Sequence, residues 1–242
     1  DADTVGVSGA TSLTAANQLT FTGTTYKANQ QTYAAAAGNN FLVNGGATTT
    51  FTASDDAVAF NTGTLLLANG SDLVVTSGGG AISAAGGIRG TSSEDVTLTS
   101  TGGTTNTVSV GAIGTADEIN TVAISGSSGI TLNGNITTSD AAGNTVTLTG
   151  PVTLGTDVTI DTNNTTNDGA INFATAASTV NGAQALVLDA GGADVTLAGT
   201  IGGTTGLTSL TVTGNSISVA DIGDADTVGV SGGTSLTAAN QL

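Results

Sequence analysis

The chain contains no cysteine, histidine, methionine or tryptophan, and a single proline, Pro151. Without cysteine there is neither a disulfide framework nor a thiolate metal site. Without histidine the usual base for nucleophilic catalysis is missing, and Lys27 is the one amine that could replace it. Positive charge is nearly absent as well: Lys27 and Arg89 stand against 18 acidic residues, for a net charge of −16. Nucleic acids and anionic membrane surfaces are captured by clustered Lys and Arg, so neither is expected as a partner. No apolar run approaches the length of a membrane span, which speaks against membrane insertion by this segment. Helix-face residues are scarce, leaving long helices without their usual material. Disorder is opposed by the small charged fraction, 8%, and by branched apolar residues recurring throughout.

What fills the chain is Thr, Gly, Ala, Asn, Val, Ser and Leu. Thr and Val favour a pleated, half-buried surface because branching at Cβ restricts χ1. Apolar residues recur in pairs at i, i+2, which puts both on one face of a strand: Val96/Leu98, Val108/Val110, Val122/Ile124, Ile130/Leu132, Val146/Leu148, Val158/Ile160, Ile171/Phe173, Leu186/Leu188, Val195/Leu197, Leu210/Val212 and Ile217/Val219. Turn signals such as Asn133-Gly134, Asp168-Gly169 and Gly202-Gly203 separate them. Short strands at this spacing fit a β-solenoid or a sandwich. A sandwich of this size usually carries aromatic anchors between its sheets, and aromatics are only 3% here. A solenoid stacks like residues coil upon coil, for which Val, Ile, Leu and Thr suffice. The expected fold is therefore all-β, a parallel β-helix (β-solenoid) of about ten coils, uncapped, with tandem β-sandwich modules as the alternative.

Residues 1–19 read DADTVGVSGATSLTAANQL and residues 224–242 read DADTVGVSGGTSLTAANQL, differing only at Ala10 and Gly233. Self-similarity at a fixed period, here from Asp1 to Asp224, is the signature of repeat architectures. The expected organisation is one full repeat over residues 1–223, with residues 224–242 starting the next. The rival reading is a domain whose two similar edge segments pair across subunits. In the first reading the partner is a neighbouring copy of the same repeat, end to end. The terminal segments are then equivalent coils related by translation along the axis plus accumulated twist. Val5, Val7 and Leu13 recur as Val228, Val230 and Leu236, and form the core of the junction. With strands ~4.8 Å apart, about ten coils advance ~50 Å.

Residues 185–214, ALVLDAGGADVTLAGTIGGTTGLTSLTVTG, resemble the β-strand repeats of filamentous-haemagglutinin-like and other giant bacterial surface proteins. So do residues 150–173, GPVTLGTDVTIDTNNTTNDGAINF, and the likeness is clearest over residues 119–223. The resemblance implies a right-handed parallel β-helix, exported and displayed at the cell surface or secreted. It further implies a role in adhesion, cell–cell contact or sheath formation, with a host or cell-surface glycan or protein as a further partner.

No catalytic residues are expected, and the chain is read as no enzyme. The acid pairs Asp55/Asp56, Glu94/Asp95 and Asp117/Glu118 are sequence neighbours, which along a strand point to opposite faces, so they are read as solvated charges. A polysaccharide-acting β-helix would need bases and cations that this chain lacks. Calcium is the one cofactor the residue types allow, with Asp1, Asp3, Asp189, Asp194, Asp224 and Asp226 as candidate ligands. The calcium-roll pattern is incomplete, because Gly191-Gly192-Ala193-Asp194 lacks its third glycine. A carbohydrate- or protein-binding module on the same solenoid is the alternative function, and its weakness is the lack of aromatics for a binding surface.

Overall fold

The computed structural model describes residues 7–91, 93–103, 105–225 and 229–241. Among them there is no helix: 24 strands form a parallel β-solenoid, 20 of them in one sheet and four in a second. Parallel pairing throughout excludes the sandwich alternative, whose sheets are antiparallel.

Each coil crosses three faces, with a short strand or an isolated bridge on each, and the strands Thr25–Ala35 and Ser209–Val219 each run over two faces. On the first face Leu73, Val96, Val122, Val146, Ile171, Val195 and Ile217 stack in register. On the second, the stack runs through Val58, Ile82, Val108, Ile130, Val152, Val180, Ile201 and Ile222. The third face runs from Leu19 and Phe41 through Ile88, Ile136 and Leu188 to Val212 and Leu236. The i, i+2 pairs read from the sequence are what makes these stacks. In Val96–Ser100, Val96, Leu98 and Ser100 point inward, while Thr97 and Thr99 face out. The chain length per coil is not constant: the step from Thr11 to Gln31 is the shortest in these stacks, and that from Ile160 to Leu188 is among the longest. The variation is absorbed in the corners, where a strand ladder imposes no register.

Two features close the packing between coils. Gly150 has φ +123°, and a Cβ there would sit 2.1 Å from the Gly126 carbonyl oxygen. Only glycine fits this corner, which the lone proline then leaves: the Pro151 carbonyl accepts the Ile130 N–H at 2.7 Å. At the amino-terminal end Phe21, Tyr26, Tyr33, Phe41, Phe51 and Phe60 form one aromatic cluster inside the first coils. Phe21 and Phe51 meet edge to face at 4.9 Å, and Tyr26 stacks on Phe51 at 4.9 Å. Tyr33 donates from its hydroxyl to Gln31 Oε1 at 2.7 Å, and Gln31 Nε2 donates to the Thr52 carbonyl at 2.7 Å. Burial first, and the nearby Tyr26 second, push the Tyr33 phenol well above its ordinary pKa.

Candidate functional site at the two ends of the solenoid

The ends are where the stacking stops. The strand Val7–Ala15 pairs with Thr25–Ala35 alone among the described residues, and Thr234–Gln241 pairs with Ser209–Val219 alone. Each therefore presents one unpaired edge. The large apolar side chains exposed among the described residues lie here too: Val7 and Leu13 at one end, 50% and 43% exposed, and Ile222 at the other, 41% exposed. All three belong to the first and last coils of the described residues, and no other described coil covers them.

The residues expected at the junction are placed as follows. Leu13 stacks on Tyr33 and Val7 pairs with Ala28. Leu236 stacks on Val212, Val230 bridges Leu207, and both are partly buried against the core. Val5 and Val228 lie outside the described residues. The expectation that the two segments are equivalent coils, related by translation along the axis plus accumulated twist, does not hold, because they lie on different faces. Leu13 lies on the second face, in the stack of Tyr33 and Phe60, whereas its counterpart Leu236 lies on the third face with Val212 and Leu188. The reason is the winding of the chain between them. From Leu13 to Leu236 it completes nine coils and one further face, so the repeated segment meets the solenoid one face later.

The acidic residues also have a structural place. A carboxylate or carboxamide oxygen in one coil repeatedly accepts a backbone N–H from a corner or strand start of the next coil. Asp72 accepts from Asp95 at 3.0 Å, Asp95 from Thr121 at 3.0 Å, and Asn135 from Thr159 at 2.9 Å. Asp157 accepts from Ala185 at 2.8 Å, Asp168 from Gly192 at 2.6 Å, and Asn181 from Thr204 at 2.9 Å. In each of these the acceptor is in the earlier coil and the donor in the later. The side chains satisfy amides at corners and strand starts that the strand ladders leave over.

Of the calcium candidates, Asp194 falls within the same pattern and Asp189 bonds within its own turn and back to the preceding coil. Asp194 accepts from the Ser216 N–H and from Asn215 Nδ2, both at 3.1 Å. Asp189 accepts from the Gly191 N–H at 3.1 Å and from Asn163 Nδ2 at 3.3 Å, and stacks in register on Asp161. Asp224 is exposed and makes an interaction of its own, while Asp1, Asp3 and Asp226 lie outside the described residues. Among the described residues no group of three or more His, Cys, Asp or Glu is arranged to hold a metal ion. Two acid pairs, Asp55/Asp56 and Asp117/Glu118, are exposed as expected. Glu94 is a correction: it is fully buried, and its carboxylate accepts from the N–H groups of Thr91 at 2.6 Å and Gly70 at 3.1 Å and from the Thr91 hydroxyl at 2.7 Å. The alternation that turns Asp95 outward turns Glu94 inward, and the corner supplies the donors its charge requires.

Of the aromatic residues only Tyr26 is even partly exposed; the others are buried. A flat aromatic surface for sugar rings is thus absent from the described residues. No family model, curated protein or solved structure matches this chain.

Proposed function

We propose that this chain is a structural or adhesive repeat of an extracellular bacterial surface filament, stalk or sheath, built by stacking copies end to end, and that it has no enzymatic activity. The observation that carries the reading is the pair of near-identical segments at opposite ends of a solenoid, each with an unpaired strand edge and uncovered apolar side chains nearby. An open ladder edge is a template for another strand. When the two open edges of one chain carry the same sequence, a second copy of the chain supplies the complementary neighbour, and a head-to-tail contact that does not close into a ring makes a filament. The extracellular placement rests on the sequence resemblance alone. Receptor binding to a surface glycan or protein rests on that resemblance too.

Chains of one, two and three copies test the reading by electron microscopy or small-angle scattering. Each added copy should lengthen the rod by ~45 Å, from about nine and a third rungs at ~4.8 Å. A two-copy chain no longer than one copy overturns end-to-end stacking. Immunogold labelling of intact cells tests the location, and label confined to the cell interior overturns the surface reading.

A further inference from the structure

The face shift between the two terminal segments says how copies join, and the inference rests on the stacking reading above. We infer that consecutive copies of this chain are joined with an offset of one face, so that the second-face strands of each copy continue the third-face stack of the copy before it.

The repeated segment is seen in the structure with both of its neighbours, one at each end. At the amino-terminal end Thr11, Leu13 and Ala15 carry Gln31, Tyr33 and Ala35 on the edge facing the following coil. At the carboxy-terminal end the same side chains, now Thr234, Leu236 and Ala238, carry Leu210, Val212 and Gly214 on the edge facing the preceding coil. Overlaying the two copies of the segment gives one strand with both edges filled. Its preceding neighbour is the third face of one copy, and its following neighbour is the second face of the next.

The chain lengths across such a joint fit this solenoid when Asp224 is taken as the first residue of the next copy. On the third face, Leu236 leads to Tyr33 of the next copy by the step already observed from Leu13 to Tyr33. On the first face, Val219 leads to Phe21 of the next copy by a step equal to that from Val146 to Ile171. On the second, Ile222 leads to Tyr26 of the next copy by a step equal to that from Gln31 to Val58. Every step across the joint is thus one the molecule already makes inside itself. A joint without offset instead makes Thr234 the second-face rung directly after Ile222, a step far shorter than that from Thr11 to Gln31, the tightest coil in the three stacks.

The carboxy-terminal segment has already begun the turn. Gln241 pairs with Ser216 at the edge of the first face, whereas in the amino-terminal copy the residues after Gln18 enter the third face as Leu19–Phe21. Beside Gln241 an open cleft of about 400 Å³ lies against Ile217 and Val219, the last inward residues of the first face. Leu19 and Phe21 of the following copy fall over this position, and Tyr26 falls over the exposed Ile222.

The consequence is a rod in which each copy is turned by one face, about a third of a turn for three faces, and raised ~45 Å. Any surface feature then recurs on all three sides in succession. The outward ladder of Thr52, Thr76, Thr99, Ser125 and Thr149, confined to one side of a single copy, appears on every side of three.

A two-copy chain, residues 1–223 followed by residues 1–242, tests this, and the absence of native cysteine allows selective spin labelling. Cysteines replace Thr211 in the first copy and Thr32 in the second; in a separate variant they replace the exposed Asp221 in the first copy and Thr32 in the second. With a one-face offset, Thr211 and Thr32 lie two rungs apart on one face, with backbones ~10 Å apart, and Asp221 lies on a different face from Thr32. Without an offset it is Asp221 that shares a face with Thr32, two rungs away. The pair Thr213 and Ala34 repeats the first measurement one outward position along, in case that variant does not fold. Stronger dipolar coupling for the Thr211 and Thr213 pairs than for the Asp221 pair supports the offset. The reverse order, or coupling for none, in a rod of doubled length overturns the offset and leaves stacking intact. A rod that does not lengthen overturns both.

Discussion

Asp140 shows how the acidic residues serve the fold. It is fully exposed, yet its carboxylate accepts the N–H of Asn167 at 2.7 Å and of Thr166 at 3.0 Å, both in the next coil. The Asn167 bond foremost, with Thr166 adding to it, holds its pKa below the usual carboxylate value. A group whose pKa is lower in the folded state stabilises above its unfolded pKa, about 3.9 for Asp, and loses that contribution as pH falls through the folded value. The stability difference between the wild-type chain and Asp140→Ala should therefore be full at neutral pH. It should shrink towards zero as the medium is acidified through and below the ordinary carboxylate range, as read by chemical denaturation across that pH series. A difference independent of pH would show that the carboxylate charge contributes nothing to this staple.

At the scale of the element, a strand as short as Val195–Leu197 has too little of its own to persist, and its stability comes from the rungs above and below. The amino-terminal coils differ from the rest in what fills them. Phe51 touches Phe21, Tyr26, Tyr33 and Phe60, with ring centroids between 4.9 and 5.6 Å. It joins rungs of all three faces across the interior. Phe51→Ala should cost about 3–5 kcal/mol, the range for buried Phe to Ala. Hydrogen exchange should then accelerate first over Thr25–Ala35 and Thr49–Ala53, while Val195–Leu197 keeps its protection, because contacts in a solenoid run between neighbouring coils. Uniform loss of protection along the whole chain would contradict this local coupling.

For the whole molecule, proteolysis reads the continuity of the ladder. Trypsin has two target residues, Lys27 and Arg89. Both side chains are exposed, but their backbones lie in strands, Lys27 paired with Thr52 and Arg89 with Leu66. Cleavage requires these rungs to open, so the folded chain should stay intact under conditions where the denatured chain is cut to completion at both sites. Rapid release of fragments ending at Lys27 or Arg89 from the folded protein would show that the first coils open on their own. The same continuity bears on the net charge of −16: many of the carboxylates accept amides from adjacent coils, and others among the described residues lie spread along the surface.

Much of this was open to reading in one dimension. The i, i+2 pairs specify inward-facing rungs because alternation is a property of the strand backbone alone, and Val96/Leu98 through Leu210/Val212 are buried as that pattern requires. Val219 is only half-buried for want of a further rung, not for want of the pattern. Composition separated a solenoid from a sandwich, since a narrow interior of like residues does not need many aromatic anchors. What the sequence left undetermined are quantities that depend on neighbours a whole coil away along the chain. Glu94 reads as a loop acid until the corner at Thr91 and Gly70 surrounds it with donors. The aromatic residues Phe21 to Phe60 are scattered in the sequence and become one cluster only when coils stack. The phase of the repeat is the clearest case: two segments of nearly identical sequence have the same inward residues, but which face they occupy depends on the summed lengths of every corner between them. That sum is nine coils and one face, and only the folded chain performs it.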